Sequence, residues 1–425
     1  MVFGMLSLVA GNAWLWRRHE LLLHYFYAAE LAAITHLLTL GFITSVCMGI
    51  IQRLLPLAVK ISMRSRRLAQ VQFGLFLAGV AGIVIHFWIH EWSGMAGGTL
   101  LVLAAAVVQL VNLADVFPAA RQGHPVARHV AAALVFLVAA ALLGVLLGLN
   151  KAALFDVHLL PAPLLPTLFA HMHLAAVGWV SNLIFGFQLK LVPATAGGRR
   201  WLALRFWLLQ AGIVGLAATL LMQAPGRLLF AGLIAVAVAW HVWGPTRHFL
   251  TGRVREWSIV PLWLLVGVVG AGLTLAAGVL PDDGVLTSRL QVAYGYVGLV
   301  GWIVLTVVAM AFKLFPMWVW QERFQRDYGR RPVPGVTKLY SRRLRGISQT
   351  LLTVGVVGTA SAILAGSAQA LQIFPGLVLL GIVAFLANFV RMARWALLNL
   401  EYHPTPADWE DFRRMFPDAP GAAEP

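Results

Sequence analysis

THLLTLGFITSVCMGIIQRLLP (35–56), MHLAAVGWVSNLIFGFQLKLVP (172–193) and GYVGLVGWIVLTVVAMAFKLFP (295–316) align without a gap. Each carries His36, His173 or Tyr296 at its head, then Gly41, Gly178 or Gly301 five residues later, followed by Phe or Trp. Eight residues further on stand Gly49, Gly186 and Ala309, then Arg53, Lys190 or Lys313, and finally Pro56, Pro193 or Pro316. The stretches recur after 137 and then 123 residues. Self-similarity at that interval implies repeated units of about four helices each.

The surroundings say what kind of helices these are. Of 425 residues, 60% are hydrophobic and only 11% charged. Soluble domains carry roughly 25% charged residues, so a soluble globule and a disordered chain are both excluded. The net charge of +16 sits in short clusters between apolar runs, which orients a membrane protein and argues against nucleic acid as a partner. The single cysteine, Cys47, lies inside an apolar run, so neither an intrachain disulfide nor a cysteine metal cluster is expected.

A spanning helix takes about 20 apolar residues. That ruler yields twelve runs: 1–16, 27–57, 68–90, 98–118, 126–149, 163–193, 201–223, 227–247, 257–280, 287–319, 346–368 and 372–398. The first is short and has neither a basic leader nor an A-x-A-like site, so it does not read as a cleaved signal. A short tilted helix and a chain start lying upstream both accommodate it. Lys60, Arg64, Arg66, Arg67, Arg121, Arg128, Arg199, Arg200, Arg247, Arg253, Arg255 and the run Arg323–Arg345 follow even-numbered helices. Glu91 and Asp282–Asp283 follow odd ones, and Arg17–Arg18 are the exception. The positive-inside rule then puts both termini in the cytoplasm of a bacterial inner-membrane protein. The expected fold is all-α integral membrane, with four-helix repeats at 1–118, 126–247 and 257–398 about a pseudo-threefold axis. Residues 399–425 form a cytoplasmic tail.

Small residues and snorkelling cations explain most of the shared skeleton as helix packing. The leading position differs. At 100° per residue, Gly41, Gly49 and Pro56 lie about 140°, 220° and 200° around the helix from His36, so the histidine faces away from the glycines. His19, His24, His36, His86, His90, His158, His171 and His173 fall in the outer half by this topology. His124, His129, His241, His248 and His403 fall at the cytoplasmic side, where a surface or headgroup role is expected. His171 and His173 are about 200° apart and so supply one ligand to each of two compartments, or else two buried hydrogen-bonded rings. His86 and His90, one turn apart in HFWIH, suit either a metal or an interfacial anchor, with the anchor favoured. Glu30 is a lone intramembrane carboxylate.

This constellation resembles subunit I of the haem-copper oxidase superfamily. HMHLAAVGWVSNLIFGFQLKLVP (171–193) looks like the H-x-H-x4-G-W helix of the C-type oxygen reductases. In that family the two histidines ligate two haems from opposite faces. The resemblance implies haem b bound by His36 and one of His171 and His173, with Tyr296 as a hydrogen-bonding wall. It also implies a cytochrome c or quinol donor and other respiratory subunits as partners, besides membrane lipid. The pattern is displaced, however. The family places H-x-H on helix 10, which here carries Tyr294 and Tyr296, and helix 7 (201–223) has no histidine to hold copper. Copper and ordinary oxygen or nitric oxide reduction are therefore not expected, and a role similar to that of the nitric-oxide-response (NnrS-type) membrane family is. A transporter or metal-handling permease, or a structural subunit without cofactor, is the alternative.

Overall fold

The computed structural model describes residues 1–153, 159–191, 198–252, 259–281, 284–398 and 400–417. His158, Pro193, Arg253, Arg255 and Asp282–Asp283, used above, lie outside these residues. Among the described residues there is no β-strand, and eleven helices are long and apolar enough to cross a membrane. We number the long helices α1 Val2–Arg17, α2 Ala29–Pro56, α3 Arg66–Ile89, α4 Trp92–Asn112, α5 Pro125–Ala152 and α6 Leu164–Leu191. The second half comprises α7 Arg199–Leu221, α8 Arg227–Leu250, α9 Ile259–Ala277, α10 Val285–Phe324, α11 Arg342–Ala365 and α12 Ala368–Leu397. At 16 residues α1 falls below the length criterion yet occupies the first expected span. Trp207, Val236, Val266, Leu380 and other large apolar residues face outward, which suits a perimeter wetted by lipid.

The fourth helix begins six residues before the apolar run at 98–118 and ends at Asn112. The cause is a cap: the Glu91 carboxylate accepts from the N–H groups of Ser93 and Gly94 at 2.9 and 2.7 Å. A hydrophobicity ruler does not register such a start.

One packing device recurs in α3, α7 and α11. Their N-caps are Ser65, Gly198 and Ser341, and fourteen residues after each comes a G-x-x-G pair: Gly79 and Gly82, Gly212 and Gly215, Gly355 and Gly358. A Cβ on Gly79, Gly212 or Gly355 would lie 2.8, 2.7 or 2.7 Å from Val102, Ile234 or Val378 on the following helix. These helix pairs therefore meet backbone to backbone. Asn112 and Asn388, each ten residues past the contacted valine, accept from the N–H of Ser65 (2.9 Å) and Ser341 (2.8 Å). In the middle pair Gly198 and Gly244 stand at those places.

The three aligned stretches share a second feature. Immediately after His36, His173 and Tyr296 the helix widens into π-helix, over Leu37–Thr44, Leu174–Ser181 and Val297–Val304. Hydroxyls close the wide turns: Ser45 Oγ donates to the Gly41 carbonyl (2.6 Å), Ser181 Oγ to Ala176 (2.9 Å) and Thr306 Oγ1 to Trp302 (2.6 Å). π-Turns are rare and concentrate at functional positions. They also void the 100° arithmetic beyond residue 37, since an i→i+5 turn carries more than 3.6 residues. Gly41 still meets Ser7 of α1, and Gly178 meets Phe136 of α5. Gly49, by contrast, has nothing within 4 Å of its Cβ position, so it is not a packing glycine.

The π-segments cross-link the centre of the molecule. Trp179 Nε1 donates to Thr44 Oγ1 (3.3 Å), tying α6 to α2, and Trp302 Nε1 donates to Ser181 Oγ (2.9 Å), tying α10 to α6. At the corresponding places for α2 and α10 stand Phe42 and Val304, which have no such groups to exchange.

Candidate functional site

Packing along α2, α6 and α10 changes at the π-segments. Residues 41–48, 178–188 and 300–310 are buried throughout. Before them, His36, Leu37, His171, His173, Ala175, Tyr294, Gly295 and Gly298 keep accessible surface although their helices run through the middle of the protein. The half nearer the basic connections is thus the more tightly buried, apart from a small cavity among Cys47, Leu183 and Thr306, and in the opposite half these side chains keep accessible surface.

Three histidines in that half share the same chemistry. His36 Nδ1 donates to the Ala32 carbonyl (2.8 Å), His171 Nδ1 to Ala140 of α5 (2.8 Å) and His173 Nδ1 to Phe169 (2.7 Å). A neutral imidazole with its proton on Nδ1 presents a bare lone pair on Nε2, the form a metal ion takes, and a backbone carbonyl behind the ring is the usual support for such a ligand. The rings then part company. His173 Nε2 accepts from the Tyr294 hydroxyl of α10 at 3.0 Å. His36 and His171 lie within electrostatic reach of one another, on the other side of α6. The His36 ring stacks on Phe87 of α3 with centroids 5.5 Å apart, and His171 lies against Gly144 of α5, where a Cβ would come within 3.1 Å of its ring.

His171 and His173 turn to opposite sides of α6, toward α5 and α10, as their spacing implies. Tyr296, expected as a wall beside the histidines, is instead buried and hydrogen-bonded to Thr359 of α11. Tyr294, two residues earlier, meets His173. Alignment pairs equivalent positions, but contact between neighbouring helices follows their stagger, and the stagger here amounts to two residues.

His86 and His90 do not share a helical face. His90 is the C-cap of α3 with φ 59°, so it has left the helix and packs on Trp92 with centroids 5.6 Å apart. His86 points its Nδ1 at the Gly82 carbonyl (2.6 Å) and its Nε2 toward Glu91 (3.7 Å). Among the described residues no group of three or more His, Cys, Asp or Glu is placed to hold a metal ion. Glu30 is engaged by Arg18 and by Trp14 Nε1, at 2.9 and 2.8 Å.

His129 and His241 correct an expectation. They lie toward the basic face in depth, but radially they are inside, 4% and 2% exposed. His129 donates to Asn182 Oδ1 (3.0 Å), which also accepts from Gln210 (2.9 Å), and His241 donates to Gln188 Oε1 (2.6 Å). Arg205, also buried, lies within electrostatic reach of both histidines. This polar cluster among α5–α8 was missed because hydropathy gives depth along a helix and not which side faces its neighbours.

No protein-family model matches this chain, and no curated protein matches it.

Proposed function

We propose that the chain is a haem b-binding integral membrane protein on a scaffold like that of haem-copper oxidase subunit I, without the usual copper site. It would serve respiratory electron transfer or the binding of nitric oxide or oxygen. The observation that carries this reading is the pair of imidazoles His36 and His171. They come from two helices and are both anchored through Nδ1 on backbone carbonyls, with Nε2 left for a ligand, and both side chains keep accessible surface. His173 is the weaker candidate because Tyr294 already holds its Nε2. Phe87 fixes the plane of the His36 ring, and Gly144 keeps room beside His171. A bound haem supplies one-electron chemistry, or a coordination position for a diatomic gas where one imidazole alone binds the iron.

The scaffold reading takes α1–α4, α5–α8 and α9–α12 as three units about a pseudo-threefold axis. It is supported by the repeated π-segments, the G-x-x-G contacts and the two indole bonds joining α2, α6 and α10. Cytochrome c or quinol and further respiratory subunits are the partners this function calls for, in a bacterial inner membrane with both termini cytoplasmic.

The test is a visible absorption spectrum of the full chain, purified from membranes of a host supplied with haem precursor. A Soret band is expected in the wild type and in His173→Ala, and its loss in His36→Ala and His171→Ala. A wild type without haem would point to the permease or the cofactor-free subunit. Full haem in all variants would refute the ligand pair.

A further inference from the structure

On the basic face, a groove of about 390 Å³ opens between the start of α11 and the end of α12. Arg343, Arg391 and Arg394 line it, and none of the three has a hydrogen-bond or ion-pair partner among the described residues. No carboxylate lines it. Below the arginines the walls are Leu344, Ile347 and Val390, the last two exposed on the perimeter that meets lipid. The N-terminal turn of α11 contains Arg342 and Arg343 and no acidic residue. Cations there oppose the helix dipole, and the free N–H groups of a helix start favour an anion.

Equivalent places elsewhere in the chain are lined differently. Counting from Asn112, Gly244 and Asn388, Asp115 stands where α12 has Arg391, and it is ion-paired with Arg64 at 2.9 Å. Trp243 of α8 stands where α12 has the small Ala387. Only the last helix pair combines cations of one sign, a small residue and an apolar floor at the membrane boundary.

We propose that this groove binds a phospholipid with an anionic headgroup. The phosphate is held by Arg343, Arg391 and Arg394, and the acyl chains descend over Leu344, Ile347 and Val390. Basic pockets between spanning helices recognise anionic lipids through this combination of charge and depth. The proposal is independent of haem and needs only the membrane-spanning fold.

The test uses the full chain in mild detergent, loaded with phosphatidylglycerol or phosphatidylcholine, with retained lipid counted by native mass spectrometry as detergent is raised. The wild type is expected to keep one phosphatidylglycerol under conditions that strip phosphatidylcholine. Arg343→Gln and the double variant Arg391→Gln, Arg394→Gln should weaken retention by about fivefold per arginine removed. Arg200→Gln with Arg247→Gln, at the corresponding places of α7 and α8, should change nothing. Should the double variant misfold by circular dichroism, the single variant carries the comparison. Equal retention of the two lipids, or unchanged retention in Arg343→Gln, overturns the proposal. So does displacement of phosphatidylglycerol by millimolar inorganic phosphate, which would make the site one for the ion alone.

Discussion

Two residues apart in sequence, His171 and His173 have different fates because one turn of α6 divides two spaces. Tyr294→Phe removes the donor to His173 Nε2 and leaves that nitrogen without a partner. The expected result is a loss of about 1–3 kcal/mol in stability, read by thermal unfolding, with haem content unchanged. Loss of haem in Tyr294→Phe would instead place the iron on the His173 side. A second residue-scale prediction concerns Asp408, beyond the last spanning helix. Partial burial pushes its pKa up, but hydrogen bonds from Lys338, Tyr402 and Thr405 outweigh this and hold it well below the ordinary 3.8. A depressed carboxylate stabilises the docked state fully above the ordinary value and loses that contribution as pH falls below it. The helix Pro406–Met415 should thus stay protected from hydrogen exchange at neutral pH and lose protection only below about pH 4. Asp408→Asn should expose it at neutral pH as well. The histidines of the site were legible in sequence because polar residues in apolar runs stand out. The identity of their partners was not, since Ala140, Phe87 and Tyr294 come from other helices.

Among helices, the backbone contacts at Gly79, Gly212 and Gly355 make a direct comparison available. Alanine at any of the three drives a methyl group to within 3 Å of backbone and side-chain atoms on the next helix. Overpacking of this kind costs about 1–3 kcal/mol, and the three variants should lose thermal stability to a similar degree. Gly49→Ala and Gly97→Ala, with nothing within 4 Å, should be close to neutral. A large loss at Gly49 with none at Gly355 would contradict the packing described. The G-x-x-G repeats escaped the sequence reading because this chain has 40 glycines, and three coincidences of spacing do not stand out against that number. The aligned stretches did stand out, since glycine, basic residue and proline all keep register. The π-segments were invisible in them: nothing in the side-chain pattern distinguishes i→i+5 from i→i+4 bonding.

At the scale of the molecule, the alternation of basic and non-basic connections predicts the topology, and reporter fusions check it. Fusions at Arg64, Arg200 and Arg330 should report cytoplasm and one at Asp283 the periplasm. A periplasmic signal at Arg330 would invert the orientation and leave His36, His171 and His173 on the cytoplasmic side. Eleven of the twelve expected spans were legible because length and apolarity alone decide them. Their arrangement was not, since it depends on which helices exchange side chains at the centre.

That centre has two indole bonds and one edge without any, between Phe42 of α2 and Val304 of α10. The bare edge is also the one that no loop spans, because it joins the last third of the chain to the first. It is secured at its two rims, by the Arg53–Glu322 ion pair on the basic face and by Trp16 Nε1 donating to the Gln372 carbonyl (3.0 Å) on the other. During biosynthesis α1 and α2 emerge long before α10 and α12, so this seam is the last to shut. Until it does, the half of the molecule that carries His36, His171 and His173 has an open side between its first and last helices.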